Sequence, residues 1–189
     1  MSMKKLIVGI SGADGLQMGI RLLELLRDLP HVETHLVTTP NAARMLPCVC
    51  GMELRQVREL ADYCYDPRNT EAAIASGSFQ TDGMIVAPCS MRTLAAIAAG
   101  LSDNLLTRAA DVCIKERRKT VLLTRETPLS LIHIRNMESV TAAGCVVLPP
   151  VLTFYSGAQT ARDMVDHILG KALLQYDITL PGFRAWEGK

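Results

Sequence analysis

The chain has 189 residues, of which 49% are apolar and 21% charged, and its formal net charge is +1. These values predict one globular domain, residues 1–189, with a C-terminal tail from about residue 178. The near-neutral charge and the aromatic content of 4% argue against nucleic acid as a partner. Because the sequence has no recognisable signal peptide or membrane-spanning stretch, we expect a cytoplasmic protein without membrane contact.

Six cysteines are scattered along the sequence, and Cys48 and Cys50 are the only close pair. A cysteine-based metal site normally needs a second pair or nearby histidines. We therefore predict reduced thiols, most of them buried, and no bound metal. The sequence also lacks the G-x-S-x-G and H-E-x-x-H patterns of common hydrolases and metalloproteases.

The chain opens with an apolar run from Lys4 that enters a glycine-rich turn at residues 9–15, and a helical pattern begins at Leu16. This order is typical of a nucleotide-binding α/β domain, because glycines let a phosphate approach backbone N–H groups. The spacing G-x-x-G-x-x-G differs from the dinucleotide fingerprint G-x-G-x-x-G and argues against NAD. From the turn alone, a phosphate site and a tight turn without ligand remain equal alternatives.

Strands and helices alternate along the rest of the chain. Short apolar runs predict strands at residues 32–38, 84–87, 120–124 and 145–148. Helical periodicity predicts helices at residues 41–46, 53–61, 69–75, 91–99, 105–118, 131–143 and 160–176, with Ser102 or Asp103 capping the helix at 105–118. Residues 47–82 are the least regular and are expected to lie over one end of the sheet. This alternation predicts an α/β fold with an open, mostly parallel sheet and helices on both faces.

Ligands of such sheets bind beyond the carboxyl ends of the strands, and loops 9–15, 38–41, 87–93 and 124–128 meet that condition. Thr39 and Ser90 are each placed to cap a helix at this edge. Arg125 and Glu126 follow a buried strand directly, where charges are costly unless they are paired or used. Both ligand contact and an ordinary ion pair fit them. Tyr155 lies in a further loop at this edge and could stack or hydrogen-bond.

Taken together, these segments resemble the UbiX-like flavin prenyltransferases, a family described as the small subunit of aromatic acid decarboxylases. The resemblance runs over nearly the whole chain and is specific as a set. Its segments are Gly9–Gly15, Ser76–Phe79, Ala87–Thr93, Leu106–Val112, Lys115–Arg118, Arg125–Leu129 and Pro149–Tyr155.

The resemblance implies a Rossmann-like flavoprotein and a prenyl transfer reaction. The family joins a dimethylallyl group from dimethylallyl phosphate to N5 and C6 of reduced FMN. The product, prenylated FMN, serves a UbiD-like aromatic acid decarboxylase. FMN binds at the interface of a homo-oligomer, commonly a dodecamer, and no metal is required.

The resemblance also implies roles for individual residues of this chain. Glu126 and Asp14 stand at the reacting centre as catalytic candidates. The cofactor-binding residues are Gly12, Ala13, Asp14, Thr39, Ser90, Met91, Arg92, Thr93 and Arg125. The residues expected to meet the prenyl phosphate are Tyr155, Lys171, Lys115 and Arg108, whose charges would stabilise the departing phosphate.

Three positions depart from the family pattern, which has serine at Asp14, serine at Thr39 and a glutamate near Val49. Thr39 keeps the hydroxyl, whereas Asp14 places a carboxylate near a phosphate and repels it unless paired or protonated. These departures leave four alternatives open: altered activity, a different allyl donor, loss of prenyl transfer, or replacement of the missing acid by Asp14. A non-catalytic FMN-binding accessory or carrier protein is therefore the second hypothesis. A flavin-dependent cysteine decarboxylase ranks third, because its histidine and P-x-M-N loop are not evident.

Overall fold

A six-stranded sheet forms the centre of the computed structural model, which describes residues 3–188. The strands are β1 (Lys4–Ile10), β2 (Val32–Thr38), β3 (Tyr63–Tyr65), β4 (Gly83–Cys89), β5 (Lys119–Thr124) and β6 (Val146–Val147). They lie in the order β3-β2-β1-β4-β5-β6, and every pairing is parallel. The predicted open parallel sheet is thereby confirmed.

Helices cover both faces of this sheet, as predicted. They are α1 (Leu16–Arg27), α2 (Pro40–Cys50), α3 (Leu54–Arg58), α4 (Met91–Ala98), α5 (Leu105–Lys115), α6 (Leu131–Ala142) and α7 (Ala161–Leu173). Helices α1, α2, α3 and α7 pack on one face, and α4, α5 and α6 on the other. Of the helices within residues 3–188, none has the length and hydropathy that crossing a bilayer requires.

The alternation of side chains along the strands builds two hydrophobic layers. On β1, Val8 packs in the layer beneath α1 and α7, whereas Ile7 packs in the layer beneath α4 and α5. Both side chains are buried, and each such burial stabilises the fold by about 1.5–3 kcal/mol. The central strands are packed between the two layers, so the carboxyl ends of these strands provide a rigid base for the loops that follow.

The strand order reverses between β1 and β4. The chain passes from β1 outward to β2 and β3, then returns to β4 beside β1 and continues outward to β5 and β6. The helices that follow β1 and β4 consequently lie on opposite faces, and their diverging loops leave a crevice between them.

Helix α2 is longer than predicted. The prediction ended it at residue 46 because Pro47 lacks the N–H that continues a helix. In the structure α2 runs through Pro47 to Cys50 and ends at Gly51, which has a φ of 64°. Pro47 is exposed, so the carbonyl that loses its partner can be hydrated there.

The irregular region contains a strand that the sequence prediction missed. Strand β3 has three residues, pairs only with β2 and leaves Tyr63 and Cys64 exposed, so it has no buried apolar run to reveal it. The helix predicted at 53–61 shortens to α3, and that predicted at 69–75 shortens to a 3₁₀ turn at Ala73–Ala75.

Helix α5 has a different cap and a different end from those predicted. Its cap is Asn104, not Ser102 or Asp103, because the Asn104 Oδ1 accepts the N–H groups of Leu106 at 2.9 Å and Thr107 at 3.2 Å. The helix ends at Lys115, before residue 118, and the chain then turns into β5.

Candidate functional site

A cleft of about 660 Å³ opens at the carboxyl ends of the central strands. Its volume lies in the usual range of ligand sites, roughly 300–1,000 Å³. All of the residues predicted for flavin binding or catalysis line it: Gly12, Ala13, Asp14, Thr39, Ser90, Met91, Arg92, Thr93, Arg125 and Glu126. The structure therefore brings together residues from four loops that are far apart in sequence. Their individual roles stay predictions.

Hydrogen bonds join these loops beneath the cleft. The Ser11 hydroxyl donates to the carbonyl of Pro88 at 2.9 Å and accepts the N–H of Ser90 at 2.8 Å. The Arg125 N–H donates to the carbonyl of Cys89 at 3.1 Å. Ser11 is fully buried and was not predicted as a site residue. Its role in joining the loops after β1 and β4 was visible only once the strand order was known.

Two helices begin at the cleft, and each is capped as predicted. The Thr39 side chain accepts the N–H of Ala42 at 3.3 Å at the start of α2, and Ser90 accepts the N–H of Thr93 at 3.3 Å at the start of α4. The amino ends of helices carry partial positive charge and free N–H groups. The cleft thus presents two such ends to an anionic ligand.

An ion pair joins two of the predicted residues across the cleft. Arg125 Nη2 lies 2.5 Å from Asp14 Oδ2, and the side chains are 36% and 67% exposed. Because such exposed pairs contribute only about 0–1 kcal/mol, a ligand phosphate can displace the carboxylate. The sequence left open whether Arg125 and Glu126 pair with each other. The structure pairs Arg125 with Asp14 instead.

Glu126 is the second carboxylate of the cleft. It is exposed, and its Oε1 accepts the N–H of Thr127 at 3.0 Å. This hydrogen bond orients the carboxylate while leaving the second oxygen available to a substrate. Arg92, also exposed, is paired with Asp103 at 3.0 Å.

Three lining residues were not predicted: Pro40, Asn41 and Arg44. All three lie on the first turns of α2, where the helical spacing of residues 40, 41 and 44 places them on one face. The Arg44 guanidinium donates to the Asn41 Oδ1 at 3.3 Å. The predicted cap at Thr39 was the sequence signal that could have indicated these residues.

Two of the three positions that depart from the family pattern, Asp14 and Val49, lie near the carboxyl end of α2, whereas Thr39 caps its amino end. The Gln17 Nε2 donates to the carbonyl of Val49 at 3.1 Å, so Val49 lies against the start of α1. Burial, and secondarily the nearby Asp14 carboxylate, raise the pKa of the Cys50 thiol. Asp14 and the end of α2 are therefore neighbours, and Val49 lies in the region where the family pattern places a second acid.

Tyr155 and Lys171 lie outside the cleft. Lys171 is part of α7, and Tyr155 packs against α7 and the tail. The Tyr155 ring packs edge-on against His167 and Trp186, with ring centroids 5.6 Å and 5.3 Å apart. Lys171 follows His167 by one turn of α7, and its charge adds to the effect of burial in lowering the pKa of His167. Within the described part of the chain, neither residue lines the cleft.

Arg108 and Lys115 form a second outlying group on α5. The Arg108 Nε donates to the carbonyl of Ala75 at 3.2 Å, and Lys115 is paired with Glu116 beside Gly77. In residues 3–188 neither lines the cleft. The four predicted phosphate-binding residues thus fall into two groups, one on α5 and one on or against α7, and within the described residues none of them lines the cleft.

The cleft fits a flavin mononucleotide in several respects. The hydroxyls of Thr38 and Thr124, at the carboxyl ends of β2 and β5, are buried without a hydrogen-bond partner in residues 3–188. At Gly12 a Cβ would lie 2.3 Å from the Asn41 Nδ2, so the absence of a side chain there lets Asn41 pack over the turn. Available donors, arginines and two helix amino ends match a ligand that carries carbonyl groups and a phosphate.

Comparison with known proteins agrees with this geometry. The Flavoprotein family model matches residues 1–173. A probable UbiX-like flavin prenyltransferase from Sedimentibacter hydroxybenzoicus is 49% identical over 184 residues, which cover 97% of either chain. This chain belongs to the UbiX-like flavin prenyltransferase family. The resemblance inferred from the sequence motifs is confirmed.

Two crystal structures of UbiX-like proteins have nearly the same fold. The dodecameric FMN-dependent UbiX-like decarboxylase from Escherichia coli O157:H7 is 47% identical, with a TM-score of 0.94 over 97% of this chain and 100% of that chain. AnUbiX (PadA1), in complex with FMN and dimethylallyl pyrophosphate, is 45% identical, with a TM-score of 0.95 over 99% of each chain. The predicted Rossmann-like flavoprotein fold is confirmed.

Proposed function

We propose that this chain is a flavin prenyltransferase. It transfers a dimethylallyl group from dimethylallyl phosphate to reduced FMN and supplies the prenylated FMN to a UbiD-like aromatic acid decarboxylase. The observation that carries this proposal is the convergence of every predicted flavin-binding residue, together with Glu126, on one cleft. The family and its relatives support the same reaction.

The residues of the cleft divide the work of binding and proton transfer. The amino ends of α2 and α4 and the glycine turn after β1 hold the flavin. Reduced FMN supplies the nucleophilic N5 and C6 atoms. The C–O bond of the donor would break and phosphate would leave as N5 bonds to the allyl carbon, and the N5 proton would go to the phosphate. When C6 bonds to the other end of the allyl group, the C6 proton would move to the adjacent carbon of the double bond. Glu126 carries that proton in our proposal, since a carboxylate can accept and return it.

The four outlying residues require a second copy of the chain. Within the described residues, Arg108, Lys115, Tyr155 and Lys171 do not line the cleft of their own chain, so we propose that they contribute to the cleft of neighbouring copies. Exposed apolar side chains support such an assembly, since patches of this kind mark interfaces. They are Leu129, Leu131, Ile132, Ile134, Val151, Leu152 and Phe154. A dodecamer, as in the UbiX-like relative, would satisfy this requirement.

One assay tests the proposal. The purified protein is mixed with reduced FMN and dimethylallyl phosphate, and the flavin is examined by mass spectrometry. We expect a gain of one C5H8 unit. If FMN stays bound without this gain, the carrier hypothesis is favoured instead, and Asp14 and Val49 are the positions that support it. A parallel reaction with dimethylallyl pyrophosphate identifies a change of donor.

We also propose that the protein works in the cytoplasm. All six cysteines carry free thiols, including the exposed Cys48 and Cys64. Free, exposed thiols fit a reducing compartment. Labelling of intact cells with a membrane-impermeant thiol reagent should leave them unmodified, whereas the lysate should react.

A further inference from the structure

We propose that Arg44 binds the phosphate of the flavin and gives the cleft its preference for FMN over riboflavin. The inference rests on the proposed function, because it assigns one more residue to the same cleft. It concerns a side chain whose position at the site became apparent only from the structure.

Arg44 differs from the other two arginines of the cleft in its partners. Arg92 forms an ion pair with Asp103 at 3.0 Å, and Arg125 forms one with Asp14 at 2.5 Å. Among the described residues, Arg44 pairs with no carboxylate, and its guanidinium donates to an amide oxygen at 3.3 Å. An incoming phosphate can therefore bind Arg44 without displacing an internal anion. Arginine also offers the fork of N–H donors that matches a phosphate.

Asn41 fixes Arg44 at the rim of the cleft. The Asn41 side chain lies over Gly12, since a Cβ on that glycine would come within 2.3 Å of its Nδ2. The Asn41 Oδ1 faces Arg44, and its Nδ2 lies 3.6 Å from the sulfur of Met45. A continuous set of contacts thus runs from the glycine turn through Asn41 to the guanidinium. This arrangement limits where the charge can lie.

Other features favour an anion at the same end of α2. The helix has eleven residues and its amino end lines the cleft, so its dipole attracts a phosphate. The Thr38 hydroxyl, just before the Thr39 cap, is buried and has no hydrogen-bond partner within residues 3–188. The helix end and the guanidinium both line the cleft and together offer donors for one phosphate.

The phosphate that suits this position is the one on FMN. The donor's phosphate must leave beside the reacting carbon, where Glu126 handles the proton. The flavin phosphate is separated from the reacting ring by the ribityl chain and stays bound throughout the reaction. Arg44 contacts neither Asp14 nor Glu126 in the described structure, so its charge is suited to the flavin phosphate, which stays in place.

Comparing FMN with riboflavin tests the inference, because the two differ only in the phosphate. For Arg44→Gln we expect an FMN dissociation constant about tenfold or more above wild type, from the loss of a charge-assisted hydrogen bond. The riboflavin dissociation constant should not change. Arg44→Lys, which keeps the charge but loses the fork, should fall between the two. Arg44 is exposed, so thermal melting should show folded variants.

Arg55→Gln is the matched control. Arg55 lies on α3, is 87% exposed and pairs with Glu59. Its replacement by glutamine removes the same charge outside the cleft, so the ratio of the FMN and riboflavin dissociation constants should remain that of wild type. The inference is overturned if Arg44→Gln raises the dissociation constants of FMN and riboflavin equally, or changes neither. It is also overturned if the variant raises only the KM for dimethylallyl phosphate. A wild-type protein that binds no FMN would instead contradict the proposed function.

Discussion

The cleft and the outlying residues Arg108, Lys115, Tyr155 and Lys171 differ in how the chain assembles them. The predicted flavin-binding residues and Glu126 line the cleft within one copy, because four loops at one edge of the sheet converge there and hydrogen bonds join them. The outlying residues lie on α5, on α7 and in the loop before α7, and these two helices pack on opposite faces of the sheet.

This difference separates two parts of the reaction. In our proposal one chain supplies the predicted flavin-binding residues of a cleft, whereas a neighbour supplies the cations expected at the donor phosphate. Changes in the cleft should therefore affect chemistry or flavin binding, and changes at the outlying residues should affect donor binding. The following predictions test this separation.

Replacing the cleft carboxylate should have the largest effect. Glu126→Gln keeps the size and the hydrogen bond from Thr127 but cannot accept a proton. We expect kcat for prenyl transfer to fall by about 10²–10⁴, the usual contribution of a general acid or base. FMN titration should give an unchanged dissociation constant. Retention of wild-type kcat would show that Glu126 does not handle the proton.

Replacing an outlying cation should have a smaller and different effect. Lys171→Met should raise the KM for dimethylallyl phosphate about tenfold, because one charged contact to the phosphate is lost. The FMN dissociation constant should stay the same. Arg162→Met is the control, since Arg162 is exposed on the same helix and pairs with Glu24 at 3.4 Å. Equal effects of the two variants would argue against a donor contact by Lys171.

Removing the ion pair across the cleft should have a modest effect in the opposite direction. Asp14→Ser frees Arg125 for a ligand phosphate, and an exposed pair of about 0–1 kcal/mol corresponds to at most about fivefold tighter binding. Dissociation constants for FMN and KM for the donor measure it. If Asp14→Ser instead lowers kcat with unchanged affinities, Asp14 serves as the acid that the family places near Val49.

The smallest effect is a pH dependence of stability and concerns His167, against which the Tyr155 ring packs. Burial first, and Lys171 second, lower the pKa of His167, so its neutral form is favoured in the folded state. The unfolded chain then binds the proton first, and stability falls as the pH drops below about 6.5. His167→Phe keeps the stacking on Phe183 and should lose less in melting temperature between about pH 7.5 and 5.5. An equal loss would show that His167 does not contribute.

The central strands and the helix caps of the cleft could be predicted because their signals are local. Buried apolar runs mark β1, β2 and β5, and Thr39 and Ser90 cap the helices that follow their strands. The family motifs also named ten of the residues that line the cleft, and the roles of these residues stay predictions. Local patterns were sufficient there because each loop follows its own strand directly.

Features that depend on distant contacts could not be predicted. Strand β3 is a short exposed edge, and its pairing with β2 has no apolar pattern. Arg44 lies beyond the predicted cap, and only the position of α2 over Gly12 brings it to the cleft. The separation of Lys115 from the cleft likewise follows from strand order and helix placement, which no motif spacing contains.

Mixing two impaired variants, Glu126→Gln and Lys115→Met, tests most directly whether copies share the site. Glu126→Gln retains Lys115, and Lys115→Met retains an intact cleft, so co-expressed copies should restore transfer at about one quarter of the sites in random assemblies. Native mass spectrometry confirms that both variants occupy the same oligomers. At a donor concentration below the wild-type KM, we predict that the mixture forms prenylated FMN faster than the mean of the two variants assayed alone. Mixed oligomers no faster than that mean would contradict a site shared between copies.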